Sequence, residues 1–552
     1  MAGAQAVVTA LLRCGINCGF GIPSIHNIPI YECLRQAPQF HHWVVRHEQA
    51  AGFAADGFFR QSGQIAAIFA STGPGNLFTV VPLLESLQSN SSVLVIGSNI
   101  ASVLQTKTGG ALHETPQQIE IVRPLTRYAR RVESPEEIPR AVAEAADALR
   151  GPLPGPAFIE IPHDFLAAPV TAPFPGSRHA EASAASPQEI AQATALVKQS
   201  RLPAILVGGG VHAGAAEVRK LAELLQAPVL TTTSGKGNFA DDHPLSLGCI
   251  SRLGKVQEVL QQSDLLISFG ARLTEFDTGR YSLLPPANHI QVVEDPAYPG
   301  TRTTATVQLV SEIGAAARAL SESTAPRAGW CEIAAIKAEE KRKLESLNQD
   351  AYSALMLLRE SLQREDVVVN DQSILNYWAS AFFPVHGPGT FLYPYGSGTL
   401  GYGVPAAIGA ACAMGQAGKK QNIICIAGDG GFQYTLHELA TLAQYNLPVK
   451  VLLVNDNAYG VIGFLQRSLF GQTHEVGLKN PDFCRLAEAY GIQALRVRTF
   501  SELKQGLPAW LETPGAALLE WQTELKAPWE AGAIIRPVSI LPAQKQQDQQ
   551  TR

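Results

Sequence analysis

The chain has 552 residues, of which 46% are hydrophobic and 16% charged, with a formal net charge of −5. That length carries a prior of about three to four domains, and the composition supports large buried cores rather than disorder. The mild acidity leaves no electrostatic footprint for nucleic acid or an anionic membrane surface, so neither is expected as a partner.

The predicted elements fall into three blocks of alternating strands and helices. The first, residues 1–170, carries buried strands at 43–45, 66–70, 93–97 and 157–162. Residues 171–187, rich in Ala, Ser, Pro and Gly, read as a linker. The second block, 188–330, opens with a helix from Gln188 and continues through strands at 204–207, 228–232, 265–270 and 289–293. A connecting helix within 331–354 leads to the third block, 355–530, with strands at 423–427 and 449–454. Residues 531–552 form a polar tail. This alternation predicts an α/β protein of three doubly wound parallel-sheet domains. The eight cysteines include no CxxC pair and suit a reducing compartment. The N-terminus lacks a basic start and a long apolar run, and no segment reaches membrane-span length, so a cytoplasmic protein is expected.

The residues with chemistry cluster just after strands. Gly428-Asp429-Gly430-Gly431 and Asn455-Asp456-Asn457-Ala458-Tyr459-Gly460 each follow an apolar strand, where open parallel sheets place their ligands. Two hard oxygen ligands on tight glycine turns suit Mg²⁺, which completes its octahedron with phosphate oxygens. Upstream stand Glu48 at the start of a helix rich in small residues, the turn Ser71-Thr72-Gly73-Pro74-Gly75-Asn76, and the loop Ser397-Gly398-Thr399-Leu400-Gly401. Taken singly, each has an ordinary reading: a favourable acidic helix start, a turn, a core leucine, a phosphate or Asx turn.

Together these motifs resemble the thiamine diphosphate (ThDP) enzyme superfamily, in its acetolactate synthase and 2-oxo acid decarboxylase branch. The resemblance implies pyrimidine-binding, middle and diphosphate-binding domains in that order. It places Glu48 at N1′ of the aminopyrimidine, where its carboxyl shares a proton with the ring. Leu400 would wedge the two cofactor rings into a V shape, with the carbonyl of Gly398 accepting from the exocyclic nitrogen. Gly73, Pro74, Asn76, Gln372, Ser373, Gly428, Gly430, Gly431, Tyr459 and Gly460 would line the cofactor. Asp429, Asp456 and the carbonyl of Ala458 would hold Mg²⁺. His26 and His113 fall where relatives place substrate-facing groups and complete the catalytic set with Glu48 and Leu400.

The reaction so implied is decarboxylation of a small 2-oxo acid through a C2-bound enamine, which releases an aldehyde or is ligated to a second carbonyl. The alternatives are an acetolactate synthase-type carboligase with structural FAD, and a non-catalytic ThDP-fold regulatory subunit. Gly208-Gly209-Gly210 and Gly270-Ala271-Arg272 resemble nucleotide-contacting turns, yet many relatives keep this domain without flavin, so FAD is the minor expectation. The loops Gly21-Ile22-Pro23, Arg46-His47-Glu48-Gln49 and Leu112-His113-Glu114-Thr115 are similar to those of 5-guanidino-2-oxopentanoate decarboxylases. Two features depart from the named activities. Val461-Ile462-Gly463-Phe464-Leu465 offers no acid after the metal loop, and Gln466-Arg467 stands where acetolactate synthases carry Gln-Trp. The resemblance also implies a homodimer or homotetramer, the cofactor lying between subunits.

Overall fold

Runs such as Ala66–Ala70 and Val449–Asn455 are buried along their whole length, as strands covered on both faces must be. A computed structural model of the chain describes residues 1–105, 109–176, 184–251, 255–279, 281, 283, 285–295 and 305–534. The chain separates into two compact units, one of residues 1–181, 360–376 and 389–524, the other of 182–359, 377–388 and 525–552.

The first sheet comprises β1 (Cys18–Gly21), β2 (His41–Val44), β3 (Ala66–Ala70), β4 (Val93–Asn99), β5 (Tyr128–Arg131) and β6 (Ala157–Pro162), in the order β2-β1-β3-β4-β6-β5. The second unit carries β7 (Pro203–Val207), β8 (Val229–Thr231), β9 (Ser246–Cys249), β10 (Leu265–Phe269), β11 (His289–Val293) and β12 (Val307–Val310), ordered β12-β11-β10-β7-β8-β9. This order reverses between β7 and β10, the switch point of a doubly wound sheet. There Gly210 N–H donates to the carbonyl of Gly270 at 3.2 Å, so the two strand ends are tied together.

The last sheet belongs to the first unit and comprises β13 (Val367–Asn370), β14 (Phe391–Leu392), β15 (Ile423–Gly428), β16 (Val449–Asn455), β17 (Gln493–Val497) and β18 (Ala517–Gln522). Its order, β14-β13-β15-β16-β18-β17, repeats that of the first sheet. All of these pairings are parallel, which forces helical crossovers and buries both faces. The expected α/β architecture of three parallel sheets is therefore present. The predicted connecting helix forms as Ile333–Ser346. Residues 177–183 of the predicted linker and the tail from 535 lie outside the described residues.

Within the first unit, the helix Glu48–Ser62 packs along the helix Gly403–Gln416. Their backbones touch through small residues: a Cβ on Gly57 would lie 2.2 Å from the carbonyl oxygen of Ala406, and one on Gly409 would lie 1.9 Å from that of Ala54. Beside this contact runs a buried ionic network. Arg60 pairs with Asp56 at 2.8 Å and with Glu85 at 2.7 Å, and both acids are fully buried. The Tyr402 hydroxyl donates to Asp56 at 2.8 Å. Glu85 also accepts from Gly396 N–H (3.2 Å), Ser397 N–H (2.7 Å) and the Ser397 hydroxyl (2.6 Å).

A helix of the N-terminal region thereby holds the loop that carries Gly398 and Leu400. Replacing Glu85 by Ala would take one of two buried carboxylates from the Arg60 guanidinium and strand two loop N–H groups. We expect a loss of about 3–5 kcal/mol, the usual cost of breaking a buried pair, read from the urea midpoint of unfolding. An unchanged midpoint would mean that the network does not hold this loop.

Candidate active site

The first half of the site is built at the carboxyl ends of β2 and β3. His47 is the N-cap of the Glu48–Ser62 helix, its Nδ1 accepting from Gln49 N–H at 3.2 Å, so Glu48 opens the first turn. The Glu48 carboxylate is half-buried. It lies against the glycine turn, because a Cβ on Gly75 would stand 2.9 Å from Glu48 Oε1.

The turn itself is fixed from below. Gly73 has φ 65°, in the left-handed region, and its N–H donates to Gln118 Oε1 at 2.8 Å. A Cβ there would meet the carbonyl oxygen of His113 at 2.3 Å, so the loop bearing His113 closes over this glycine. His113 is itself left-handed, with φ 64°, strain of a kind that collects at functional loops. His26, in the turn after β1, is buried and has its ring 5.4 Å from that of His113. Asn76, expected among the cofactor contacts, also serves the fold. It is fully buried, and its amide donates to the carbonyl of Ser98 at 2.8 Å, so it pins β4.

The second half lies at the carboxyl ends of β13, β15 and β16. Gly428 pairs with Val454, which sets Asp429 and Asp456 just beyond neighbouring strand ends. Burial raises the pKa of both carboxyls, and for Asp456 the proximity of Asp429 adds to the rise. Asn480 bridges the two loops, its Nδ2 donating to Asp429 Oδ2 at 2.6 Å and to Asn455 Oδ1 at 2.9 Å. Sequence reasoning missed Asn480; no spacing rule singles it out.

Gly460 opens the helix Gly460–Phe470, and a Cβ on it would fall 2.4 Å from Asp456 Oδ2. Ala458 N–H donates to Asp456 Oδ1 at 3.1 Å, so Asp456 folds back on its own loop. The N–H of Tyr459, a residue expected to line the cofactor, donates to the carbonyl of Val476 at 2.9 Å. The Tyr459 ring packs beside Gly430, where a Cβ would be 2.6 Å from Cε1.

Asp371, at the end of β13, organises the loop that carries Gly398 and Leu400. Its carboxylate accepts from Gly401 N–H (3.1 Å), Gly403 N–H (3.0 Å) and Gln372 N–H (2.7 Å). Burial pushes its pKa up to about 6, opposed by those three donors. Leu400 is half-buried and Gly398 exposed, with Gly398 beside Gln372. The Ser373 hydroxyl is used locally, accepting from Asn376 N–H at 3.2 Å.

These glycine turns, acids and parallel-sheet ends are the layout of a thiamine diphosphate-dependent enzyme, and comparison with known proteins agrees. Residues 1–121 match the N-terminal TPP binding domain of thiamine pyrophosphate enzymes, residues 190–320 their central domain, and residues 371–521 their C-terminal TPP binding domain. The chain belongs to the thiamine pyrophosphate enzyme family. It is 31% identical over 539 residues to a probable acetolactate synthase large subunit of Methanocaldococcus jannaschii, across 92% of this chain and 89% of that one. It is 32% identical over 533 residues to a probable 2-ketoarginine decarboxylase of Pseudomonas aeruginosa, across 94% and 93%. It is 30% identical over 538 residues to acetolactate synthase isozyme 1 large subunit of Escherichia coli, across 94% and 93%. Among the described residues, no helix is long and apolar enough to cross a membrane.

Proposed function

We propose that this chain is a ThDP- and Mg²⁺-dependent decarboxylase of a small 2-oxo acid, releasing an aldehyde or joining the acyl unit to a second carbonyl. The observation that carries the reading is the Glu48 carboxylate set against the Gly73–Gly75 turn, intact on a chain that also keeps the Asp429 and Asp456 pair. That pair fits a divalent cation: two acids at adjacent strand ends, one of them 2% exposed, offer the hard oxygens Mg²⁺ prefers. Asp429, Asp456 and the carbonyl of Ala458 would hold the ion. N–H groups at Gly430, Gly431 and Gly460 would meet the diphosphate.

When bound, ThDP supplies a nucleophilic carbon and an electron sink for the departing CO₂. Glu48 holds the proton shared with the aminopyrimidine. Leu400 and the Gly398 carbonyl would help to hold the cofactor rings in place. His26 and His113 face the incoming acid and donate to it.

The working form is a homodimer or homotetramer in the cytoplasm, with the cofactor between the first domain of one subunit and the third of another. Leu77, Phe78, Val81 and Leu84, just after the glycine turn, are 37%, 46%, 41% and 37% exposed. An apolar stripe of this kind, continuous with the site, suits burial against a second copy.

Acetolactate-type carboligation is the second reading, favoured by the names of the relatives from M. jannaschii and E. coli. A regulatory subunit without catalysis is disfavoured by the intact Glu48 and Asp429. Incubating the holoenzyme with a panel of 2-oxo acids, while following CO₂ and carbonyl products together, separates these outcomes. Stoichiometric aldehyde or a 2-hydroxy ketone supports the first, an acetohydroxy acid the second, and no CO₂ from any member overturns both. Flavin absorbance in the purified protein would add FAD.

A further inference from the structure

His163 begins the turn His163–Leu166 directly after β6, and nothing in the sequence marks it. The fold brings it to His26, ring to ring at 5.1 Å with a 47° tilt, while His113 approaches the same ring from another side at 5.4 Å and 64°. Three imidazoles thus meet at one end of the first sheet, contributed by the segments after β1, β4 and β6. This is the end that carries Glu48 and the Gly73 turn.

His26 forms the floor at 7% exposure, His163 is half-buried and His113 is open to solvent. The buried Nδ1 of His26 has no hydrogen-bond partner. A polar nitrogen left so deep in a domain is costly unless something arrives to meet it. Burial and its two imidazole neighbours hold His26 towards the neutral form, so another cation is unwelcome there and an anion would relieve the crowding.

A metal ion is the less suitable guest. Among the described residues, the one trio whose ligand atoms converge is Asp482, Cys484 and Glu520, already engaged by Arg496. The three histidines do not form such a set. Nearby acids are occupied: Asp164 accepts from the N–H and hydroxyl of Ser102 at 2.9 and 2.6 Å, and Glu114 accepts from Ala111 N–H at 3.2 Å.

We propose that His26, His113 and His163 form one carboxylate-receiving site for a 2-oxo acid, His163 being its third donor. The inference rests on the decarboxylase reading above, and its test separates the two. In wild-type holoenzyme, histidine acylation by diethyl pyrocarbonate is mapped by mass spectrometry with 4-methyl-2-oxopentanoate, pyruvate or the neutral ketone 4-methyl-2-pentanone. Protection of His113 and His163 by the acids but not by the ketone is expected; equal labelling in all three overturns the site, whether or not CO₂ is released. Protection, with no CO₂ from any acid of the panel, supports the site and removes the decarboxylase reading.

In the second arm, His163→Phe is compared with His163→Gln, which retains an N–H donor. For the acid turned over, KM should rise about 10- to 100-fold in His163→Phe, the worth of one hydrogen bond to a charged group. His163→Gln should recover most of it, with kcat and ThDP affinity little changed in both. An unchanged KM in His163→Phe overturns the role of His163.

Discussion

Glu48→Gln is expected to lower kcat about 100- to 10,000-fold while leaving ThDP affinity within about threefold, because it removes proton exchange and keeps the shape of the side chain. Glu48 suits this separation of effects. Its backbone is fixed by the helix and the His47 cap, and its carboxylate rests beside Gly75 rather than in an ion pair, so the fold loses little when the charge goes. Two measurements check it: turnover of the best 2-oxo acid in the panel, and cofactor binding by quenching of tryptophan fluorescence in the apoenzyme. Exchange of the C2 proton of bound ThDP, followed by NMR after acid quench, should slow in parallel with turnover. Full activity in this variant would remove the proposed mechanism at its first step.

Asp429→Ala should act on the other half-site and through a different quantity. With the buried carboxylate gone, Asp456 is left without the partner needed to bind a divalent ion, and Asn480 loses its 2.6 Å acceptor. The expected result is at least about a 100-fold weaker joint affinity for ThDP and Mg²⁺, a larger effect than loss of an outer-shell contact. In wild type, saturating ThDP and Mg²⁺ should raise the thermal midpoint by mass action, about 2.7 kcal/mol at a hundred times the dissociation constant, and EDTA should reverse the rise. In the variant the midpoint should not respond. Retention of the shift would mean that the ion is held elsewhere, and Asp429→Asn, which keeps the volume, guards against a trivial folding defect.

Strands such as β7, β10 and β15 were legible because they are apolar runs ended by glycine. Others, at the edges and inside the sheets alike, were not. β1 reads Cys-Gly-Phe-Gly, β5 reads Tyr-Ala-Arg-Arg and β14 has two residues, so neither apolar alternation nor β-branching marks them; neighbouring strands impose their pairing. Site motifs stood out where chemistry requires glycine or acid at fixed distance from a strand, as at Gly73, Asp429 and Gly460. Asn480 and His163 did not, since each reaches its partners through the tertiary fold rather than a local pattern. Asn76 and the N–H of Tyr459 show the converse. Their positions in the motifs were clear, yet the fold also draws on them: the Asn76 amide N–H donates to Ser98 and the Tyr459 N–H to Val476. A motif names the loop and leaves open which of its polar groups remain free.

The loop from Gly396 to Gly403 is gripped from two directions, by Glu85 across the ionic network and by Asp371 from the end of β13. A segment ordered before its ligand arrives surrenders little conformational entropy on binding. Tight cofactor retention and resistance to unfolding are then two readings of the same fastening. Substitutions that loosen either grip should shed the cofactor well before they alter any residue that touches it.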